Sequence, residues 1–303
     1  MSRSRLVFAT YLLSIVVFIG CKKSENNLIP TSKEESKTLK NRSLSEEFKS
    51  YWYDGTAEIT SYDLTQERYG ELRKGKAVNI FVTEDFLPEV QVKANAVTET
   101  NIPVLKLNQV KKYITGIYPY SVMTSVFYPV NATEHALKTS FSMQEWCGHA
   151  YIQLNTKKDF EIVSHSYFEG EADQDLQLPK TWLESELWNL IRINPDELPT
   201  GDISVLPSFE YFRMSHTPII AKNAYGKLMQ GDSISSYTLD YPEIKRNLAI
   251  YFNSKPPYEI ERWEETHPNG LKTTAEKLRR MKSKYWSQNS TQYEYLRDSL
   301  LLN

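Results

Sequence analysis

Between Tyr51 and Tyr258, apolar and polar residues alternate with a period of two far more often than they follow a helical period, the mark of strands with one buried and one wet face. The alternation predicts strands over Ala57–Leu64, Ala77–Thr83, Val104–Ile114, Ile117–Tyr128 and His135–Leu154. It predicts others over Phe160–Phe168, Phe209–Met214, Ile234–Tyr241, Arg246–Phe252 and Tyr258–Trp263. Turn formers such as Lys74-Gly75-Lys76, Asp202 and Asn253 to Pro256 fall between them. Three stretches break the pattern. Thr181–Ile191 sets Trp182, Leu183, Leu187, Leu190 and Ile191 on one apolar face, with Thr181 and Glu184 spaced as a capping box and Pro195 as the stop. Thr274–Trp286 follows the pair Thr273 and Glu276, and Gln292–Leu302 follows Thr291 and Glu294. The sum is a mainly β chain: an antiparallel sandwich or partly open barrel with three helices, two of them C-terminal.

One hairpin within that pattern concentrates reactive side chains. Along SMQEWCGHAY, alternation puts Glu145, Cys147, His149 and Tyr151 on one face and Trp146, Gly148, Ala150, Ile152 and Leu154 on the other, apolar one. The following DFEIVSHSYFEGE divides likewise, with Glu161, Val163, His165, Tyr167 and Glu169 on its polar side. Matching the apolar faces so that Leu154 opposes Phe160 and Ile152 opposes Ile162 sets His149 opposite His165, Cys147 opposite Tyr167 and Glu145 opposite Glu169. Directly opposed Cβ atoms lie about 4.5–5.5 Å apart, so one metal ion, zinc by its taste for thiolate and imidazole, could bridge both histidines with Cys147 or a carboxylate as a further ligand. The plainer expectation is that Cys147 is a small packed side chain and the histidines ordinary neighbours. A Cys–His nucleophile fits less well, because a base usually approaches from another element and no third group orients it.

The N-terminus decides the compartment. Arg3 and Arg5 precede an uncharged apolar run, Leu6 to Ile19, which ends at Gly20-Cys21. A basic start, a short apolar middle and a small residue at the cut form a secretory signal, and the run is short for a membrane span of about 20 apolar residues. Phe18-Ile19-Gly20-Cys21 resembles the lipobox of bacterial lipoproteins, which implies that Cys21 is acylated and becomes the mature N-terminus. Residues 1–20 are then the signal peptide, 21–45 a Lys-, Ser-, Glu- and Asn-rich tether without apolar residues to order it, and 46–303 a single large β-rich domain. Lys22-Lys23 matches neither the inner-membrane retention aspartate nor the acidic export cluster of Bacteroidota lipoproteins, and by that analogy the protein belongs on the periplasmic face of the outer membrane. With Cys21 acylated, Cys147 has no disulfide partner in the chain.

The remaining chemistry is sparse. A formal charge of −2 offers no broad basic surface for nucleic acid. The acids of Glu169-Gly-Glu171-Ala-Asp173-Gln-Asp175 lack the bidentate glutamate of a calcium loop. The basic run Lys277 to Lys284 marks the wet face of its predicted helix or touches anionic lipid. The aromatic runs Ile117-Tyr-Pro-Tyr120 and Phe209-Glu-Tyr-Phe212 line a groove or pack in strands. Asp232-Ser233-Ile234 and Asp298-Ser299-Leu300 match a short O-glycosylation pattern of periplasmic Bacteroidota proteins. Nucleophile-elbow, phosphate-loop, His-Glu-x-x-His and Cys-x-x-Cys motifs are missing. Through YGELRKGKAVNIFVTE, TGIYPYSVMTSVFYP, SMQEWCGHAYIQLN and SHSYFEGEADQ the mature chain resembles an uncharacterised family of Bacteroidota lipoproteins. Some members carry a septum formation inhibitor label, shared with nucleotide pyrophosphatases whose Ser-x-Ser-Pro-Arg-Arg motif has no counterpart here. The resemblance implies location and little chemistry; the anchor, the aromatic β domain and the missing catalytic motifs lead to the expectation of a lipid-anchored periplasmic binding or envelope-maintenance protein, with an envelope protein as partner or an apolar or glycan ligand in a cavity inside the sheet. A metal-binding protein or metal-dependent enzyme using His149, His165 and Cys147 is the alternative.

Overall fold

The computed structural model describes residues 42–303. The expected signal peptide 1–20, the lipidation site Cys21 and most of the tether 21–45 lie outside the described residues. The chain is already in place at Arg42, whose side chain is buried against Glu197 and the carbonyls of Pro129 and Val130, so packing begins a few residues before the expected boundary.

Helix α1 (Glu46–Trp52) is capped by Ser45, which accepts the Phe48 N–H, and it buries Phe48 and Trp52. A long meander follows: β1 (Ala57–Arg68), β2 (Glu71–Leu87), the short β3 (Val92–Lys93), β4 (Ile102–Thr115) and β5 (Tyr118–Pro129). It continues through β6 (Lys138–Glu145), β7 (Gly148–Thr156), β8 (Phe160–Ser166) and β9 (Gln174–Leu178). Then come β10 (Trp182–Leu183), α2 (Glu184–Ile193), β11 (Gly201–Leu206) and α3 (Phe209–Ser215). The chain ends with β12 (Lys222–Met229), β13 (Ile234–Tyr241), β14 (Arg246–Asn253), β15 (Ile260–Thr266), β16 (Lys272–Ser283) and α4 (Tyr295–Ser299).

All sixteen strands of the described residues form one sheet, antiparallel but for the two-residue β10–β11 pairing. β1 pairs with both β2 and β16, which joins the two halves of the meander side by side. The sheet is an open barrel whose free edges are β9 and β10, linked by Pro179-Lys180-Thr181. The mainly β, antiparallel, partly open architecture is thus the one the alternation predicts.

The helices differ from expectation, each for a local reason. Thr274–Trp286 is not an α-helix: its first ten residues belong to β16, paired on both sides with β1 and β15, and three of its basic side chains meet acids. Lys277 donates to Glu259 and Glu261, and Arg280 and Lys282 face Glu259 and Asp54. Phe209–Met214, predicted as a strand, is α3, because the Ser208 hydroxyl accepts the Tyr211 N–H and starts a helix. Gln292–Leu302 shrinks to a turn at Thr291–Tyr293 and the short α4. The first predicted helix is present as α2, but the capping glutamate is Glu186, which accepts the Leu183 N–H, while Thr181 donates to the Ser204 carbonyl.

Helix α2 lies inside the sheet with nine of its ten residues buried, and α3 buries Phe209, Phe212 and Arg213 beside it. Trp188 meets Trp263 edge-on at 5.2 Å, and Trp263 meets Tyr62 at 4.8 Å. Each such buried aromatic contributes roughly 1.5–3 kcal/mol through area removed from water. The charged groups of α2 are paired, whereas the buried Asn189 Oδ1 has no partner among the described residues. Arg192 grips Glu58 at 2.5 and 2.8 Å, Glu184 receives Arg246 and Tyr241, and Asn189 donates to the Leu105 carbonyl. The space expected to hold an apolar ligand is occupied by these helices and their aromatic partners.

Candidate functional site

The segment His135–Leu154 is two strands, not one. Trp146-Cys147 forms a turn between Glu145 and Gly148, which pair across it. That turn breaks the alternation: Glu145 follows Phe141 and Met143 to the inner face of β6 and is 2 % exposed, whereas Cys147 and His149 stay outside. The β7–β8 register is also two residues from the expected one, with Leu154 opposite Ile162 and Thr156 opposite Phe160. A three-residue loop, Lys157 to Asp159, closed by Lys157 N–H to the Asp159 carbonyl at 3.0 Å, sets it. A slip of two keeps every side chain on its predicted face, so face matching cannot detect it.

The expected metal geometry therefore does not form. His165 lies opposite Tyr151, not His149, and is an exposed partner of Asp173 at 3.2 Å. His149 pairs with Gln144 and offers its carbonyl to the Tyr167 N–H. Tyr167 packs on Gly148, where an added Cβ would sit 2.9 Å from its ring, so the thiol at Cys147 is one position removed from its expected neighbour. Glu169 is exposed in the β8–β9 turn, and the Glu145 side chain is buried against Arg213. Among the described residues, no three His, Cys, Asp or Glu side chains are grouped to hold a metal ion. The acidic loop works through Glu171 instead, which receives Ser166 and is 2.6 Å from His216 Nδ1.

Cys147 is a free, exposed thiol, not the packed side chain the composition favours. Its N–H donates to Glu145 Oε2 at 2.6 Å. The hydrogen bond and negative charge of Glu145 push the thiol pKa above its usual value, so the sulfur is held protonated and is a poor nucleophile. Behind Glu145 lies buried Arg213, 3.6 Å from that carboxylate and 3.9 Å from Glu171, with its guanidinium 3.7 Å over the Phe168 ring. These contacts clamp the β8–β9 loop and the end of α3 to the β6–β7 turn.

In an antiparallel meander successive turns fall at alternate ends. The β1–β2, β4–β5, β6–β7 and β8–β9 turns thus share one end, and each exposes a large apolar side chain: Tyr69 at 57 %, Ile117 at 83 %, Trp146 at 68 % and Tyr167 at 78 %. Trp146 stacks on Tyr118 with centroids 6.1 Å apart, Tyr118 neighbours Tyr120 at 5.9 Å, and Tyr120 stacks on Tyr113 at 4.9 Å. The Tyr69 and Tyr120 hydroxyls hydrogen-bond at 2.8 Å, and Arg68 lies under both rings. The Ile117–Tyr120 run, ambiguous as sequence, is thus half exposed in this platform. Arg68 and Tyr69 went unnoticed because nothing in their spacing announces that a hairpin tip folds onto a neighbouring one.

The opposite end carries two shallow clefts of about 200 and 320 Å³ that share Tyr258 as a wall. Ser233 is exposed on the turn beside the larger one. No helix of the described residues is long and apolar enough to cross a membrane. No family model matches the chain, and no curated protein matches it. Among solved structures, the chain is similar to a β-barrel-like protein of a domain of unknown function, DUF1849, from Brucella abortus, at 8 % identity and a TM-score of 0.44, over 75 % of this chain and 97 % of that one.

Proposed function

We propose that this chain is a lipid-anchored binding protein of the periplasmic face of the outer membrane, and that it recognises its envelope ligand on the rim of the barrel rather than inside it. The observation that carries this is the filled interior. α2 and α3 occupy the lumen with their buried charged side chains in ion pairs, while the rim displays an aromatic platform in water. Exposed aromatic side chains clustered on adjacent turns are costly to solvate and mark a contact surface. Glu145 pushes the pKa of the rim thiol up, which does not favour it as a nucleophile. The anchor rests on the Cys21 signal.

Labelling cells with radioactive palmitate tests the anchor. The full chain is expected to carry label and to sediment with outer membranes, and Cys21→Ser to lose both. An unlabelled, freely soluble wild-type protein would remove the anchored reading. Binding is tested separately by adding extracted envelope glycans and lipids to the purified full chain and following thermal stability. A ligand that raises the midpoint for the wild type but not for Trp146→Ala is expected; a response unaffected by Trp146→Ala would move the site away from the rim.

A further inference from the structure

Besides Arg42, which pairs with Glu197, four arginines of the described residues are buried: Arg68, Arg192, Arg213 and Arg246. Three of them face carboxylates, Arg192 with Glu58, Arg213 with Glu145 and Glu171, and Arg246 with Glu184 and Glu265. Arg68 does not. It is 7 % exposed, donates to the Tyr120 hydroxyl at 3.4 Å and to the Met214 carbonyl at 3.1 Å, and otherwise lies against the rings of Tyr69 and Tyr120 at 4.1 and 5.6 Å. Among the described residues its second terminal nitrogen, Nη2, has no hydrogen-bond partner and is not sealed from solvent. The neighbouring acid is turned away: Glu67 alternates to the far side of the strand, where it receives Gly70 N–H and Asn269.

A buried cation without an ion partner is expensive, and its natural complement is an anion arriving from outside. The surroundings narrow what carries that anion. From Arg68 the aromatic surface runs through Tyr120 and Tyr118 to Trp146, whose exposed face lies beside the protonated thiol of Cys147. Hydroxyls of Tyr69 and Tyr118 punctuate it, with Tyr120 buried beneath them, and an apolar occupant would strip water from these groups without replacing their hydrogen bonds. A sugar chain satisfies both demands, since its C–H faces stack on aromatic rings while its hydroxyls replace that water.

We infer that the rim site, Arg68 with Tyr69, Tyr118 and Trp146 over the buried Tyr120, binds an acidic glycan, with aromatic stacking on Trp146 and the acid group at Arg68. The inference rests on the reading of this chain as a rim-binding protein and names the ligand class of that site. The carboxylate or phosphate supplies the charge that the fold leaves uncompensated at Arg68, and a neutral glycan gains only the stacking.

The test uses the full chain, purified in detergent and labelled with 5-fluorotryptophan. Fluorine spectra report on six tryptophans, and the Trp146 resonance is identified as the one missing from Trp146→Phe. The probes are a hyaluronan tetrasaccharide, which alternates uronic acid with N-acetylglucosamine, and chitotetraose, which lacks the acid. Hyaluronan tetrasaccharide is expected to shift the Trp146 resonance saturably and chitotetraose to bind at least tenfold more weakly. Arg68→Gln should erase that tenfold difference. Should Arg68→Gln not fold, raising the salt on the wild type serves instead, with a several-fold loss expected for the acidic probe only. Equal binding of the two sugars would overturn the role of Arg68, and no shift with either would overturn the glycan site. The same shift from acetate or inorganic phosphate alone would reduce it to an adventitious anion site. None of these outcomes depends on palmitate labelling, so an acylated chain that ignores both sugars sinks this inference while leaving the anchored protein in place.

Discussion

Replacing Arg192 by Met tests whether α2 is held in the barrel by its ion pair. The guanidinium donates to both Glu58 oxygens at 2.5 and 2.8 Å and to the Pro257 carbonyl at 2.9 Å, and lies against the rings of Trp52 and Phe81. Met keeps much of the apolar packing against those rings but strands the Glu58 carboxylate, with the Tyr51 hydroxyl as its remaining partner. Leaving one member of a buried pair uncompensated costs about 3–5 kcal/mol. For a domain of this size each kcal/mol moves the melting midpoint by roughly 2–4 °C, so a fall of about 6–20 °C is expected. Urea denaturation followed by near-ultraviolet circular dichroism measures the free energy directly. Adding Glu58→Leu to Arg192→Met should recover most of the loss, because no charge is then buried alone. A single-variant loss below about 1 kcal/mol would show that water reaches Glu58 and that the lumen is not dry. Failure of the double variant to recover would move the cause to lost contacts with Trp52 and Phe81.

Acid should loosen the same interior. Burial alone would raise Glu265, but the charges of Arg246, His267 and Lys111 outweigh it and pull the carboxyl down to about 2, and Arg192 likewise lowers Glu58. Carboxyls depressed in the folded state contribute stability that is complete above their usual range near 4.5 and disappears as pH falls through the folded values. Urea midpoints should therefore be flat from pH 7 to about 5 and drop toward pH 2, and a midpoint that holds steady to pH 2 would contradict the pairing. Glu145→Gln should speed alkylation of Cys147 by iodoacetamide several-fold at pH 8, because the hydrogen bond and charge that hold the thiol protonated are gone; an unchanged rate would sever that link. Gly75→Ala places a Cβ 2.3 Å from the Lys112 carbonyl oxygen on the neighbouring strand, and should cost about 1–3 kcal/mol of stability by urea titration. Gly70→Ala, at a positive φ but in open space, should cost less, and the reverse order would refute the close-approach argument.

The strands legible in the sequence are those with one face in the core, such as β13 (Ile234–Tyr241), whose bounds match the alternation residue for residue. Those missed, such as β9 and β12, lie at or near the sheet edges, where fewer of their side chains are buried and the alternation fades. The basic stretch of β16 imitates an amphipathic helix, and pairing with strands far away in sequence overrode that local pattern. At the candidate site, alternation along Ala150–Thr156 and Phe160–Ser166 placed the side chains on the correct faces.

Composition and period, acting one residue at a time, were enough to determine the β class, the antiparallel order and the outward face that carries His149 and His165. The register of β7 on β8, the turn that sends Glu145 inward, and the meeting of Arg68 with Tyr120 were decided only in the tertiary structure. A shift of two residues preserves every face and leaves no trace in the alternation. A hairpin tip that folds over its neighbour, likewise, brings together residues with no relation along the chain.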